Sequence, residues 1–386
     1  MANNLRERFA AFFPHSLAAD VRVLRAPGRV NLIGEHTDYN DGFVLPAAIG
    51  FETRVACAAN DSRELIVHSI QENRTASFSV DDVSPKPRHD WTDYVRGVQV
   101  QLMRAGYRVS GANLLINGQV PIGAGLSSSA ALEVASALAL LNVAVCRLDP
   151  VSIAQLCQRA ENEFVGARCG IMDQFASLNG RAGHAILLDC RSLESKYIPL
   201  PKSAALVIAN TMVKHSVAGG EYQRRREECE EAVLQLQSRR PEITRLRDLS
   251  EEELRQSQAA ISGFLFRRCR HVVGENRRVL AAAQALKDGD LGTAGDLIYE
   301  SHASLRDDYE VSCPELDVMV EIAKSFPGIY GSRMTGGGFG GCTVTLLERG
   351  AVAEFKTYIA TQYERAAHTC PEIYVAEIVD GAGPVS

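Results

Sequence analysis

Residues 28–46 read Gly28-Arg-Val-Asn-Leu-Ile-Gly-Glu-His-Thr-Asp-Tyr-Asn-Asp-Gly-Phe-Val-Leu-Pro46 and place many polar side chains among apolar ones. Arg29, Glu35, His36 and Asp38 are close enough in sequence to face one another, and burying an unpaired charge is costly. Arg29 and Glu35 could simply pair across a turn, but that pair does not explain the unbroken polar run from Glu35 to Asp38. Carboxylates beside an imidazole suit a polyhydroxylated ligand, because each hydroxyl both donates and accepts hydrogen bonds. The segment therefore predicts a ligand site.

A glycine- and serine-rich loop, Pro121-Ile-Gly-Ala-Gly-Leu-Ser-Ser-Ser-Ala-Ala131, lies between a predicted strand and a predicted Ala-rich helix. Glycines permit close approach to the backbone, and the N-terminus of the helix offers unpaired N–H groups and a positive dipole end. The loop therefore predicts an anion site, although a simple serine cap would need only one of the three serines. It lacks the Gly-Lys-Ser/Thr ending of a Walker A motif and the third glycine of a dinucleotide-binding turn, which excludes both classes.

A second glycine-rich segment, Gly336-Gly-Gly-Phe-Gly-Gly-Cys342, precedes a strand-like run at 343–347. It contains a formal Gly-x-Gly-x-x-Gly, but a Rossmann turn has to open a helix. The absence of His-Arg-Asp and Asp-Phe-Gly elements excludes a protein kinase. From the residues alone, a flexible turn inside an antiparallel hairpin explains these glycines.

The segment Ala160–Gln174 carries two further carboxylates, Glu161 and Asp173, on either side of Gly166 and Gly170. The apolar neighbours of Asp173 are typical of a buried carboxylate with a perturbed pKa. Judged by composition alone, an aspartate near a glycine is more often a helix cap.

Together these segments resemble the galactokinase family, within the GHMP small-molecule kinases that also include homoserine, mevalonate and phosphomevalonate kinases. The resemblance runs from about Arg25 to Gly381 and rests on segments 28–46, 91–97 (Trp-Thr-Asp-Tyr-Val-Arg-Gly), 121–131, 170–174 (Gly-Ile-Met-Asp-Gln) and 336–342. It implies an α/β (α+β) fold of two domains, with a mixed sheet in the N-terminal domain and an antiparallel sheet with helices in the C-terminal one. The active site is then expected in the cleft between them. The third motif would pack near that site.

The resemblance implies transfer of the γ-phosphate of ATP, with Mg²⁺ as cofactor, to the C1 hydroxyl of α-D-galactose. Asp173 would accept the proton of that hydroxyl or orient it, and Arg29 would stabilise developing charge or keep Asp173 ionised. Asp38 would contact the C3 and C4 hydroxyls, so that the wrong epimer leaves it unpaired. The implied binding sets are Glu35, His36, Thr37, Asp38, Gly170 and Tyr222 for the sugar; Gly123, Ala124, Gly125, Leu126, Ser127, Ser128 and Ser129 for the nucleotide; and Ser129 and Glu161 for Mg²⁺.

Two alternatives remain open at this stage. One is a kinase of a related sugar, such as N-acetylgalactosamine or arabinose. The other is a non-catalytic sensor of galactose and ATP; the sensors of the family lack a Ser-Ala pair after the loop leucine, whereas Leu126–Ala131 is complete here.

The composition is ordinary for a soluble globular protein, with 386 residues, 46% hydrophobic, 23% charged and a net charge of −6. This acidic balance argues against nucleic-acid and membrane-surface partners. The ten cysteines show no Cys-x-x-Cys pair, which argues against structural zinc and predicts buried thiols in a reducing compartment. No apolar run reaches the ~20 residues of a membrane span. We expect a cytoplasmic monomer whose partners are small-molecule substrates.

The chain is predicted to divide into domains at 1–195 and 196–386, where Pro199 and Pro201 interrupt the pattern. Alternation and β-branching predict strands at 21–24, 53–58, 65–69, 112–119, 183–189, 206–210, 342–347 and 374–378. Helical spacing predicts helices at 129–145, 151–163, 221–237, 272–286 and 314–323.

Overall fold

The computed structural model describes residues 2–14, 16, 20–82, 84–214 and 218–385. The strands within these residues are β1 Arg22–Asn31, β2 Phe43–Val44, β3 Pro46–Ala59, β4 Glu64–Ser69, β5 Arg74–Ser79, β6 Ala112–Gly118, β7 His184–Asp189, β8 Ser195–Pro199, β9 Ala204–Lys214, β10 Ile329–Thr335, β11 Gly340–Glu348, β12 Glu372–Ala376 and β13 Gly383–Pro384. The α-helices are α1 Ala2–Phe12, α2 Thr92–Arg104, α3 Ser128–Val143, α4 Pro150–Arg159, α5 Met172–Asn179, α6 Ala218–Gln237, α7 Glu251–Gln256, α8 Gly263–Asp288, α9 Leu291–Ser304, α10 Pro314–Lys324 and α11 Val352–Ala367.

A six-stranded mixed sheet of order β13-β1-β3-β6-β4-β5 forms the N-terminal part of the fold. Its pairs are antiparallel except for β4 with β6. Helix α3 is apolar on nearly all sides and packs on β1 and β3, as expected for a helix buried around its whole circumference. The predicted mixed sheet and its buried helix are thereby confirmed.

The register of β1 against β3 shifts between the pairs Pro27–Glu52 and Arg29–Ala48, so that residues 49–51 of β3 form an irregularity opposite Gly28. Such irregularities bend the sheet locally, and this one lies beside Arg29. A Cβ at Gly28 would lie 2.6 Å from the carbonyl oxygen of Leu126, so the strand can pass this close to the loop only with glycine. We call this loop, residues 121–131, the phosphate loop after its predicted role.

The C-terminal part contains a four-stranded antiparallel sheet of order β10-β11-β9-β12, as predicted. Helices α10 and α11 cover one face around Phe355, Ile359 and Tyr363. Strands β10 and β11 form a hairpin, and its turn is the glycine-rich segment 336–339.

The two sheets share one continuous core. Buried residues of the first sheet, such as Val30 and Ile49, belong to the same apolar cluster as Ile208, Val279 and Val344. Helix α8 packs on the small antiparallel sheet β2-β7-β8, and β13 returns to pair with β1. The side chains that face the cleft are therefore held from both sides by packed elements.

Several predicted boundaries differ from the structure. Strand β1 continues to Asn31 although the prediction ended it at residue 24, because pairing with β3 overrides the weak strand propensity of Pro27 and Gly28. The helix predicted at 151–163 ends as an α-helix at Arg159, and a π-helical turn follows at Ala160–Val165. Such turns occur often at functional sites. No described helix has the length and apolar character needed to cross a bilayer.

Candidate active site

A cavity of about 310 Å³ lies where the two sheets meet. It is lined by Arg29, Glu35, His36, Asp38, Gly123, Gly125, Leu126, Ser127, Ser128, Ser129, Cys169, Gly170, Met172, Asp173, Tyr222, Gly336 and Gly337. Five separate stretches of sequence contribute to this lining. Four of them belong to the predicted motifs or adjoin them, and the fifth is the single residue Tyr222.

Arg29 and Asp173 form a bidentate ion pair on one wall of the cavity. The guanidinium Nε donates to Oδ1 at 2.7 Å and Nη2 donates to Oδ2 at 2.9 Å. The third nitrogen donates to the carbonyl of Gly125 at 2.6 Å, and the Ser127 hydroxyl donates to Asp173 Oδ2 at 2.5 Å. Although burial opposes the charged guanidinium, Asp173 outweighs it and raises the pKa of Arg29. The pair thus joins the phosphate loop to the part of the cavity that Asp38 and Gly170 line.

The phosphate loop has the backbone geometry of an anion site. Positive φ angles alternate along it, at Gly123 (73°), Gly125 (74°) and Ser127 (62°), and helix α3 begins at Ser128. Alternating left-handed residues turn backbone N–H groups toward a common concave side, and a helix N-terminus adds a positive dipole end. The loop can therefore cradle a polyanion without a lysine.

A second cavity of about 470 Å³ adjoins the first and shares Ser128 and Ser129 with it. Its other lining residues include Trp91, Tyr94 and Leu132. An aromatic and aliphatic pocket next to an anion site suits a flat base joined to phosphates. Trp91 faces this pocket, and its buried Nε1 has no hydrogen-bond partner among the described residues.

Buried carboxylates lie behind Ser129. The Ser129 hydroxyl hydrogen-bonds Glu161, which also accepts from Gln174 Nε2 at 2.6 Å and from the Cys169 thiol at 3.2 Å. Gln174 donates to the fully buried Glu133 as well, at 3.1 Å. Burial and the charge of Asp173 raise the pKa of Glu161, and burial and Glu161 raise that of Glu133. The carboxyl oxygens gathered here are ligands of the kind that a hard divalent cation prefers, and a bound cation would favour their ionised form.

Glu35 links the polar segment 28–46 to the hairpin formed by β10 and β11. Its Oε2 accepts from Asn31 Nδ2 at 2.7 Å and from the Arg333 guanidinium. Its Oε1 accepts from the Thr335 hydroxyl at 3.1 Å and from the Gly336 N–H at 2.9 Å. Burial raises the pKa of Glu35, and Arg333 opposes that shift. Glu35 therefore positions the glycine turn in addition to lining the cavity.

His36 reaches the cavity from a left-handed backbone conformation, with φ of 64°. Such a conformation is strained for a residue other than glycine and is found most often at functional sites. Its Nδ1 lies 2.8 Å from the Tyr39 hydroxyl. Burial lowers the pKa of His36 well below its ordinary value, and His271 and Arg225 add to this shift. His36 is thus a neutral imidazole.

Asp38 lies against Gly170 at the floor of the cavity. A Cβ at residue 170 would be 1.9 Å from Asp38 Oδ2, so only glycine leaves room for the carboxylate. Its other oxygen, Oδ1, accepts from the Tyr39 N–H at 3.0 Å. Burial and the Asp173 carboxylate raise the pKa of Asp38 to about 6.

Three residues of the predicted sets do not line this cavity. Thr37 is fully buried, and its hydroxyl lies within hydrogen-bond distance of the Gly34 and Phe43 carbonyls, so it stabilises the turn. Ala124 is buried in the core that joins the two sheets, behind the phosphate loop. Glu161 lies behind Ser129, as described above.

The predicted site sets do not include Arg333, Gln174 or Glu133. Arg333 is fully buried, and only its Nη2 has a partner among the described residues. It stands three residues before the third glycine motif, which is the one sequence signal that could have drawn attention to it. Gln174 closes the quoted Gly-Ile-Met-Asp-Gln segment, and Glu133 carries no signal beyond a charge within an apolar helix.

Comparison with known proteins places these motifs in context. A profile of the galactokinase galactose-binding signature matches residues 7–59, and the N-terminal and C-terminal GHMP kinase profiles match residues 93–181 and 282–365. A galactokinase of Roseiflexus sp. (strain RS-1) is 48% identical over 384 residues, which cover 99% of this chain and 96% of that protein.

Two solved structures are similar to this chain in fold. The galactokinase of Lactococcus lactis in complex with galactose superposes with a TM-score of 0.96 at 36% identity and covers 100% of both chains. The mevalonate kinase of Methanococcus jannaschii superposes with a TM-score of 0.66 at 17% identity, over 93% of this chain and 98% of the other. The second likeness concerns the fold alone.

Proposed function

The chain belongs to the galactokinase family of the GHMP kinases, and we propose that it transfers the γ-phosphate of ATP to the C1 hydroxyl of α-D-galactose. One observation carries the proposal at the level of the site. The Arg29–Asp173 pair is bonded on one side to the phosphate loop, through Gly125 and Ser127, and faces Asp38 and Gly170 on the other. A phosphate donor and a sugar acceptor bound there would meet at this pair.

Phosphoryl transfer depends mainly on positioning and charge stabilisation, because its transition state is loose. Asp173 accepts hydrogen bonds from Arg29 and Ser127, so its lone pairs are partly used. This favours a carboxylate that orients the C1 hydroxyl and accepts its proton late, over a strong base. Arg29 would balance the negative charge that develops between the two substrates.

The sugar set consists of polar groups with complementary roles. Asp38 offers carboxylate acceptors, and Tyr222 brings a phenol beside the His36 ring, with ring centroids 5.5 Å apart. Recognition of an axial hydroxyl by a buried acceptor discriminates strongly, because the epimer leaves that acceptor unpaired. We therefore propose that Asp38 is the residue that distinguishes galactose from glucose.

The adjoining cavity that contains Trp91 would take the adenine base, and the phosphate loop would take the phosphates. Ser129 and Glu161 would hold Mg²⁺, whose bound form neutralises phosphate charge and aligns the phosphates. The concentration of carboxylates behind Ser129 supports this, because Asp173 raises the pKa of Glu161, and Glu161 and Asp173 both raise the pKa of Glu133.

We further propose that the protein acts as a monomer in the cytoplasm. Every residue that lines the cavity comes from one chain, and the ten cysteines are all free thiols, which suits a reducing compartment. Light scattering of the purified protein, with and without substrates, tests the first part.

A substrate panel with coupled detection of ADP tests the function. Galactose should be phosphorylated with the highest kcat/KM, and glucose, N-acetylgalactosamine and arabinose should react far more slowly. The Asp38→Ala variant should lose galactose binding and keep ATP binding, whereas Tyr363→Phe, a buried change remote from the cavity, should behave as wild type. Comparable kcat/KM for galactose and glucose would refute the assignment, and ligand binding without turnover would indicate a sensor.

A further inference from the structure

Helix α8 presents three buried polar side chains to the backbone of the polar segment 28–46. They are His271, Glu275 and Asn276, with exposed fractions of 0%, 0% and 9%. His271 and Glu275 lie one turn apart on the same face of the helix, and Asn276 follows directly. Each lies outside the described lining of the cavity. Their contacts with the segment span 233 to 241 positions, so they form only when the two halves of the fold meet.

Two of these side chains accept hydrogen bonds from backbone N–H groups. Glu275 Oε1 accepts from the Gly34 N–H at 2.9 Å, and Asn276 Oδ1 accepts from the Phe43 N–H at 2.9 Å. A backbone N–H can only donate, so both directions are fixed by the backbone partner. The two contacts hold the ends of residues 34–43, the stretch that carries most of the proposed sugar-binding side chains.

His271 binds a carbonyl group between these two ends. Its Nε2 lies 3.1 Å from the carbonyl oxygen of Glu35. A carbonyl oxygen carries no proton and can only accept, so Nε2–H is the donor. Burial lowers the pKa of His271 to about 4, so the ring is neutral near pH 7 and carries its single proton on Nε2.

These contacts lie next to the strained residue of the site. His36 has a φ of 64°, and a residue other than glycine keeps such a conformation only where its surroundings hold it. This angle is the rotation that separates the carbonyl carbons of Glu35 and His36. His271 donates to the first carbonyl, and the side-chain amide of Asn40 donates to the second at 2.9 Å. Both carbonyl groups that define the angle are therefore bonded to buried donors.

We propose that His271, with Glu275 and Asn276, holds the backbone of residues 34–43 in the conformation that sugar binding requires. His271 is thus a positioning residue for His36, because it stabilises the left-handed conformation from which that side chain reaches the cavity. The consequence for the sugar rests on the proposed function, whereas the hold on the backbone does not.

Packing alone does not account for polar groups at these positions of the helix. Val272, Val273 and Val279 of the same helix pack in the apolar core. Burying a polar side chain is costly unless it is hydrogen-bonded, and an apolar side chain would fill the same space without that requirement. A hydrogen bond adds a fixed direction, which is what a strained backbone segment needs from its neighbours.

The variants His271→Leu and His271→Gln test the role of the donor. Glutamine can place an amide N–H near the position of Nε2, whereas leucine has no donor. We expect His271→Leu to raise the KM for galactose roughly five- to tenfold, as for the loss of one buried hydrogen bond, with kcat and the KM for ATP unchanged. His271→Gln should stay close to wild type.

Tyr363→Phe is the matched control for these variants. Tyr363 is also fully buried, and it donates one hydrogen bond to a backbone carbonyl, that of Thr211, at 3.1 Å. Its loss should leave the KM for galactose unchanged. A His271→Leu protein with a lowered melting temperature but a wild-type KM for galactose would show that His271 is purely structural. An equal rise of KM in His271→Leu and His271→Gln would refute the role of the donor.

Hydrogen exchange followed by mass spectrometry tests the hold on the backbone independently of any activity. In ligand-free His271→Leu, the amides of residues 34–43 should exchange at least about fivefold faster than in wild type, while those of strand β9 keep their rates. Unchanged exchange at 34–43, or equal acceleration in both regions, would overturn the proposal.

Nitrogen NMR of wild-type protein labelled with ¹⁵N-histidine decides the matter if His271→Leu fails to fold. The resonances of His271 are those that disappear in His271→Gln. We expect a protonated Nε2 and an unprotonated Nδ1 near pH 7. An unprotonated Nε2 would overturn the proposal, because the ring could then not donate to the Glu35 carbonyl.

Discussion

Replacing Gly170 by alanine is expected to disable sugar binding through a single displaced carboxylate. The new Cβ would lie 1.9 Å from Asp38 Oδ2 and 2.2 Å from its Cγ. Non-bonded atoms require ~3.5 Å, so the Asp38 side chain has to retreat by roughly 1.5 Å. Gly170 does not have a positive φ, so alanine fits the backbone itself and the effect passes through Asp38.

The magnitude follows from the hydrogen bonds that Asp38 would lose. A hydrogen bond to a charged group contributes about 1.5–3 kcal/mol, which corresponds to roughly 10- to 150-fold in kcat/KM. We expect kcat/KM for galactose to fall on the order of 100-fold, in agreement with the cost of misplacing a reactive group by ~1 Å. The KM for ATP should not change, because the phosphate loop lies on the other side of the Arg29–Asp173 pair.

Steady-state kinetics with coupled ADP detection, together with thermal melts, measure these effects. Gly350→Ala is the control, because a Cβ there meets no atom within 4 Å and its φ is ordinary. In an Asp38→Ala background, Gly170→Ala should cause no further loss. A folded Gly170→Ala enzyme with wild-type kcat/KM for galactose would refute the steric argument. A further fall in kcat/KM when Gly170→Ala is added to Asp38→Ala would show that residue 170 affects activity by a path other than Asp38.

Three more predictions concern the carboxylates of the site. Because the pKa of Asp38 is raised to about 6, kcat/KM for galactose should fall as the pH drops below about 6. The raised pKa also means that the ionised carboxylate destabilises the folded protein above pH ~6. The Asp38→Asn variant should therefore melt at a higher temperature than wild type above pH ~6, and this difference should disappear below the ordinary pKa of 3.8. Asp173→Asn should lower kcat by about 10²- to 10⁴-fold with little change in galactose affinity, and near-normal turnover would make Asp173 a structural group. Glu161→Ala should raise the Mg²⁺ concentration needed for half-maximal activity, and an unchanged Mg²⁺ titration would contradict its role as a ligand.

Much of the fold could be predicted because its elements carry local signals. The Ala-rich helix after the phosphate loop and the strands β4, β6, β7 and β11 were predicted within a few residues of their bounds, whereas the predictions for β1 and β3 covered only part of each strand. Strand β10 was not predicted, since Ile329–Thr335 is mixed in polarity and becomes a strand through its pairing with β11. The π-helical turn that carries Glu161 continues a helical pattern, so spacing alone could not reveal it.

The sequence by itself determined the chemical content of this protein. Each motif is a contiguous stretch whose residue types indicate its chemistry: the polar segment 28–46, the phosphate loop 121–131, the segment 170–174 around Asp173, and the glycine turn 336–342. Local backbone geometry and side-chain chemistry are encoded within a few residues, so each motif could be recognised in the sequence. The order of these motifs along the chain then indicated the family.

Only the tertiary structure decided which of these groups act on one another. Arg29 meets Asp173 across 144 positions, and Glu35 meets Arg333 across 298. The sequence also did not predict the environment of each polar group. Asp38 is an example, because its raised pKa results from burial and from the nearby Asp173 carboxylate. Hydrogen bonding, desolvation and charge coupling act over a few ångströms of space, and that proximity arises only when the two sheets pack together around their shared core.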